Sequence, residues 1–292
     1  EEESNFKNGM KNGPYISYYE DGQISEKGVY LNEKKNGPYI SYYEDGQIRE
    51  ESTYKNNRLD SHFITYYYDG QIHEKGTFKN NRLDGSYISY YENGQIREES
   101  TYKNGMNNGL LTSYYQDGQI EQKGIYINGE LDGPYISYYE DGQMEFEGVF
   151  KNGKRIGKHI KYHEDGSISG GGDFIDGTGD WLTYHKNGNL KYKGYVKNGK
   201  AHGLHIKYYS DGEIKGEANY INGTGTWTGY YEDGQIKEES IYKNNKLNGL
   251  YITYYKDGQI EIEGTFKNHW RVGVWTWYKP GGSISFQYDY GK

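Results

Sequence analysis

The chain has no cysteine, so disulfides and thiol chemistry are excluded. This does not locate the protein, since secreted and cytosolic chains can both lack cysteine. It has no excess of positive charge. The formal net charge of −8 argues against a broad basic face for phosphate backbones and against adsorption to anionic lipid. Nucleic acid is not an expected partner, and neither is a membrane. No apolar run approaches the length of a membrane span or a signal-peptide core. Aliphatic residues are sparse, which excludes an ordinary leucine-rich core. In their place stand 37 tyrosines, whose rings pack while their hydroxyls stay wet, as suits a thin structure.

What the chain does have is a repeat. A pattern like Gly37-Pro38-Tyr39-Ile40-Ser41-Tyr42-Tyr43-Glu44-Asp45-Gly46-Gln47-Ile48 returns twelve times, its turn glycine running from Gly22, Gly46 and Gly70 to Gly282. The spacing is 24 residues, except for 22 between Gly166 and Gly188 and between Gly212 and Gly234. A fixed period in this range signals an array in which no repeat is stable alone. One array over 1–292 is expected: a leading half repeat or cap over 1–12, eleven repeats over 13–272 and a capping repeat over 273–292. Residues Glu2 to Gly9 match the second half of a repeat, so either preceding sequence was removed or half a repeat serves as a cap.

Within a repeat, Tyr39 to Tyr43 is aromatic and β-branched, as in a strand. Asp45-Gly46 is a hairpin turn, Gln47 to Lys55 a second strand, and Asn56 to Asp60 a polar return loop. The fold class is all-β: an elongated, twisted single-layer antiparallel sheet of about twelve hairpins. A three-residue Glu-Asp-Gly loop pairs Tyr42 with Ile48 and gathers Ile40, Tyr42, Ile48, Ser52 and Tyr54 on one face. The second-tyrosine column has no exception, and the small column (Gly28, Ser52, Gly76, Ser100, Gly124 and onward) leaves room for a neighbouring ring.

Phe146-x-Gly148-x-Phe150, Tyr192-x-Gly194 and Lys151-Asn152-Gly153-Lys154 resemble MORN repeats. The whole repeat, Asn-Gly-Lys-Leu-Asp-Gly-x-Tyr-x-x-Tyr-Tyr-x-Asp-Gly-Gln-Ile-x-x-Glu-Gly-x-Tyr, more closely resembles the bacterial MORN-variant repeat over nearly the whole chain. The resemblance implies a twisted single-layer sheet of hairpins, a MORN-type solenoid. It also implies a protein scaffold, or an antitoxin of the kind bacterial variants are often described as. Other MORN proteins are proposed to bind lipid. This chain places Tyr or Trp where a second glycine often sits in the first strand, so a ligand groove is not carried over.

No catalytic constellation stands out. The Glu50-Glu51 pairs point to opposite faces of a strand and cannot act on one substrate. The column Lys27, Glu51, Lys75, Glu99 reads as charge balance. His163 and His185 sit about 9.6 Å apart by strand spacing, and His159 and His163 roughly 13 Å apart along a strand, too far to share a metal. No cofactor or metal is expected. The divergent residues His159, Lys161, His163, Trp181, His185, His205, Lys207, Tyr209 and Trp227 replace the uniform early pattern, beside Gly170-Gly171-Gly172 and the two shortened loops. Aromatics and cations on one exposed face are what binding hot spots use. The expectation is a non-enzymatic module binding another protein as scaffold or antitoxin-like inhibitor. The alternative is a secreted or surface adhesin that stacks sugars on its rings. The first suits the cytoplasm, the second a chain whose signal peptide has been removed. Trp270, Trp275 and Trp277 read as part of the closing cap.

Overall fold

The computed structural model describes residues 1–291. They form strands and turns, with no helix among the described residues. Two compact units are present, Glu1–Met144 and a second beginning at Glu145. Each is an open single-layer antiparallel meander in which sequence neighbours pair.

The Asp-Gly turns have the expected three-residue loop. Tyr43 N–H donates to the Gln47 carbonyl at 2.8 Å and Gly46 N–H to the Tyr43 carbonyl at 3.0 Å. Gly46 takes the left-handed φ of 85° that the loop needs. The faces differ from expectation. Tyr42 pairs with Ile48, but Ser41 pairs with Glu50. Arg49 is therefore an extra residue, and this bulge reverses side-chain parity beyond it. Tyr39, Ser41, Ser52 and Tyr54 share one face, here called the ring face. Ile40, Tyr42, Ile48 and Glu51 lie on the back.

The ring face is the core. Tyr15, Tyr39, Phe63, Leu111, His159, His205 and Trp275 occupy one column of it and are buried. Rings of this column meet rings in the second strand of their hairpin, edge-on at Tyr39–Tyr54 (5.2 Å between centroids), Phe63–Phe78 (4.8 Å) and Tyr251–Phe266 (5.3 Å), and tilted at Tyr15–Tyr30 (4.4 Å). The small column lies against these rings. A Cβ on Gly124 would stand 2.9 Å from the Tyr135 ring and 3.0 Å from Leu131.

The back face holds a ladder that sequence reading took for charge balance. The Lys27 ammonium lies 5.0 Å from the Tyr42 ring centroid and Lys75 5.4 Å from Tyr90. Where the column holds glutamate, the next tyrosine donates to it: Tyr114 to Glu99 at 3.0 Å, Tyr254 to Glu239 at 2.7 Å. Partial burial and that carboxylate push the Tyr254 hydroxyl up to about 12. A third tyrosine column staples neighbours, Tyr43 donating to the Tyr66 carbonyl and Tyr67 to the Tyr90 carbonyl, both at 2.7 Å.

The polar return is shorter than expected. Lys55 pairs directly with Arg58, and Asn56 and Asn57 at φ 52° and 63° form the whole turn, a type I′ hairpin. The slack sits further on: Tyr54 pairs with Leu59 but Ser52 with Phe63, so the strand carries a two-residue bulge over Asp60 to His62. Ser61 adopts φ 132° there, where most repeats place glycine. In the 22-residue repeats this bulge is what is missing. Phe174–Gly179 and Gly170–Thr183 pair without slippage, as do Ala218–Trp227 and Ile221–Thr224.

Candidate functional site

After several of the long returns, the second residue of the strand lays a side chain over the ring face. Lys35 does so in the first unit, its ammonium 4.4 Å from the Tyr39 centroid, 5.6 Å from Tyr15 and 5.8 Å from Tyr54. It also reaches the Glu26 carboxylate at 3.3 Å. In the second unit Arg155 lies 5.5 Å from Phe174 and 4.8 Å from Trp181, and Arg271 lies 4.4 Å from Trp275. Long aliphatic stems cover the rings while the cation meets their faces. At the equivalent position of the ninth repeat stands Ala201. The next return is a shortened one, which omits the covering residue altogether. With no side chain to close it, the ring face opens there into a cavity of about 530 Å³. Its walls include Tyr192, His205, Tyr220, Trp227, Glu238 and Tyr242, and exposed Lys207 and Asn245 border it.

The candidate residues fall into three groups. His159 and His205 are not on an exposed surface: they are 0% and 3% exposed, in the core column, because the hairpin bulge turns that column inward. Each Nε2 is 2.9 Å from a backbone carbonyl, Val149 for His159 and Tyr195 for His205, which fixes the hydrogen on Nε2. Trp275 does the same with its indole, Nε1 donating to the Thr265 carbonyl at 3.2 Å. In those three repeats the bulge glycine has φ between 64° and 71° (Gly157, Gly203, Gly273), against 120° to 144° for Gly13, Gly37, Gly85, Gly109, Gly133 and Gly249. The ring N–H takes a carbonyl that Asn36 N–H or Asn108 N–H takes elsewhere. Trp275 is fully buried while Trp270 is 77% exposed.

Lys161, Trp181, Lys207 and Trp227 share the ring face with the histidines. Lys161 pairs with Glu145 at 3.3 Å. Lys207 lies over the Trp227 ring at 4.8 Å. His163, His185 and Tyr209 belong instead to the staple column. Tyr209 donates to the Tyr230 carbonyl at 2.7 Å, and His185 Nε2 is 3.1 Å from the Tyr208 carbonyl. His163 Nε2 is buried with no hydrogen-bond partner. The nine residues thus do not form one surface; His205, Lys207 and Trp227 meet at the cavity.

Sequence reading missed Ala201, Tyr192, Tyr220, Glu238 and Tyr242. A signal was present: alanine in a column otherwise of Lys, Arg, Leu and one Asn, one repeat before a shortened loop. The cavity chemistry is aromatic walls with one carboxylate. Burial pushes the hydroxyls of Tyr192, Tyr220 and Tyr242 up and the His205 imidazole down, so these groups stay neutral. Tyr192 OH donates to His205 Nδ1 at 2.5 Å. Among the described residues no group of three or more His, Cys, Asp or Glu gathers to hold a metal.

No curated protein matches the sequence. Similar solved structures include a TcdB2-TccC3-Cdc42 crystal structure, at 11% identity and TM-score 0.19. A Photorhabdus luminescens Tc holotoxin pore compares at 10% identity and TM-score 0.19. Both cover 99% of this chain, which spans only 18% of their chains, and likeness at that TM-score carries no argument. The MORN repeat variant family matches residues 11–32, 35–56, 59–80, 83–104, 107–128, 131–152, 178–198, 201–222, 224–244 and 247–268. With its hairpin period, glycine-marked bulges and type I′ returns, the chain belongs to the MORN repeat variant family.

Proposed function

We propose that this chain is a non-catalytic repeat module that binds another protein, as a scaffold or an antitoxin-like inhibitor. The observation that carries this reading is the cavity beside Ala201. It is an interruption of an otherwise covered ring face, lined by Tyr and Trp, the residue types that anchor protein interfaces. It holds no nucleophile paired with a base: the one histidine in it is committed on both ring nitrogens. Sugar stacking is less well supported, because Lys207 covers a face of Trp227 at 4.8 Å.

The test is affinity capture from the source cell with the wild-type chain and with a His205→Tyr, Lys207→Ser, Trp227→Tyr variant. Each replacement occurs in its own column elsewhere in the chain, so the fold is expected to persist. The reading requires a protein retained by the wild type and lost from the variant, confirmed by reconstitution from purified components. Retention of glycans with no protein would overturn it.

A further inference from the structure

The structure holds filled versions of its own open cavity. We propose that the cavity beside Ala201 takes a lysine or arginine side chain projected by the partner protein. This rests on the protein-binding reading and specifies which group of the partner enters.

The closest template is 46 positions earlier, one long and one short repeat (24 and 22). Arg155, His159, Lys161, Phe174 and Trp181 correspond to Ala201, His205, Lys207, Tyr220 and Trp227. In the first set the Arg155 guanidinium is half-buried between Phe174 and Trp181. In the second the ring pair is kept, as Tyr220 and Trp227, and the arginine is absent. Lys35 and Arg271 fill the same position with a cation elsewhere. With Lys11 over Tyr30 at 5.1 Å, four repeats supply a cation from this position. The repeat of Ala201 supplies none from it, and the cation on its ring face is Lys207 on Trp227.

Charge supports the same occupant. Among the described residues no carboxylate pairs with Arg155, and desolvation weakens its hold on its proton. The open cavity has Glu238, in the repeat column that gives Lys35 its partner Glu26. At the sequence position corresponding to Glu238 the Arg155 copy has Tyr192, so it has no carboxylate there. Lys207 lies over Trp227 at 4.8 Å, so entry of the partner's cation requires it to turn aside, as its counterpart Lys161 is turned to Glu145 at 3.3 Å in the filled site. A cation entering from outside would meet ring faces and a carboxylate together, a pairing stronger when partly desolvated. An acidic side chain would be repelled by Glu238, and a neutral one would leave that carboxylate with the Ser240 hydroxyl at 3.0 Å and no counter-charge.

The test uses the full chain and a glycine-flanked arginine peptide, its lysine counterpart and its citrulline counterpart, which keeps the shape of arginine without its charge. Binding is followed by the NMR shift of the Trp227 indole N–H. The arginine or lysine peptide should shift that signal saturably, with citrulline at least about tenfold weaker, the scale of one cation–aromatic contact with its charge. Ala201→Arg should fill the cavity from within and abolish the shift. It repeats what the chain does at Arg155, so folding is expected. Glu238→Gln should weaken binding by about tenfold and serves as the second variant if Ala201→Arg does not fold. Equal binding of citrulline, binding that survives Ala201→Arg or Glu238→Gln unchanged, or no saturable shift with either cationic peptide overturns the proposal. A captured partner protein that Ala201→Arg still holds at wild-type affinity overturns it too, while leaving the protein-binding reading standing. Absence of any specific protein partner ends that reading instead.

Discussion

The stretches beginning at Lys154 and Lys200 are two builds of one design, and they end differently. Both bury a histidine in the core column, both follow it with lysine two residues on, and both lose the bulge from the next return. The first covers its rings with Arg155 and surrounds His159 with Phe146, Phe150 and Phe174. The second leaves Ala201 and surrounds His205 with Tyr192 and Tyr220. The lesson is that a binding-sized cavity in a thin sheet needs no new loop. Deleting one bulge and truncating one covering side chain is enough, because every ring relies on a neighbour's side chain for its cover.

If that contrast is right, the two copies should tolerate crowding differently. A Cβ on Gly148 would collide with the His159 ring, and one on Gly194 with the His205 ring and the Tyr192 hydroxyl. Gly148→Val should cost about 3 kcal/mol, since the His159 ring is hemmed in by three phenylalanines. Gly194→Val should cost about 1–2 kcal/mol, since His205 and Tyr192 border a cavity they can move into. Urea midpoints on the two variants would decide; an equal loss would mean that the cavity gives its walls no freedom.

Next in size is the hydrogen bond that only one copy has. Tyr192→Phe strips His205 Nδ1 of its donor, and an unpaired buried acceptor costs about 1–3 kcal/mol. His159 Nδ1 already lacks a hydrogen-bond partner, so the variant would convert the second copy to the first. Unchanged stability would mean that water from the cavity replaces the hydroxyl.

Acid should separate the copies further. Burial holds both imidazoles below their ordinary value, and at His159 the Arg155 charge adds to burial, while the Val149 carbonyl and Asp173 oppose it. Below the unfolded value of about 6.5 the unfolded chain takes up protons that the folded chain refuses. Stability is therefore full above that pH and falls as pH drops toward the lowered folded values. The slope approaches at most about 1.4 kcal/mol per pH unit for each histidine. His159→Tyr should flatten this dependence more than His205→Tyr, because no arginine stands at Ala201. Melting at pH 7 and pH 5 tests it, and equal flattening would remove Arg155 from the account.

Much of the fold was legible because period, turn chemistry and strand composition agree. Asp45-Gly46 gave the loop length, and the small column foretold ring packing, as Gly124 against Tyr135 shows. The face assignment failed at one residue. Arg49 carries nothing in its identity to mark it as a bulge, yet it reverses everything after it, and so His159 was read as exposed when it is core. The returns were misjudged for a related reason: Asn56-Asn57 is itself a complete turn, and the bulge beyond it hides in a glycine column that looks like more loop. The cavity could not be read from the residues that line it. It arises from what Ala201 does not cover, which needs the three-dimensional neighbours Tyr192 and Glu238 to be seen together.

The smallest effect tests the comparison in the opposite direction. Phe146 and Tyr192 stand in corresponding positions, with centroid distances to the histidine of 5.7 Å and 5.8 Å. A hydroxyl added by Phe146→Tyr is thus placed to donate to His159 Nδ1 as Tyr192 does to His205 at 2.5 Å. The gain should be about 1 kcal/mol or less, the net value of a hydrogen bond once the hydroxyl's own desolvation is counted. A double-mutant cycle isolates it: Phe146→Tyr measured with His159 and again in a His159→Phe background, where no acceptor remains. Stabilisation in the first background and a cost in the second would show that the ring nitrogen receives the bond. The same gain in both would assign it to packing, and the pairing of Tyr192 with His205 would then lose its claim to be what distinguishes the open copy from the filled one.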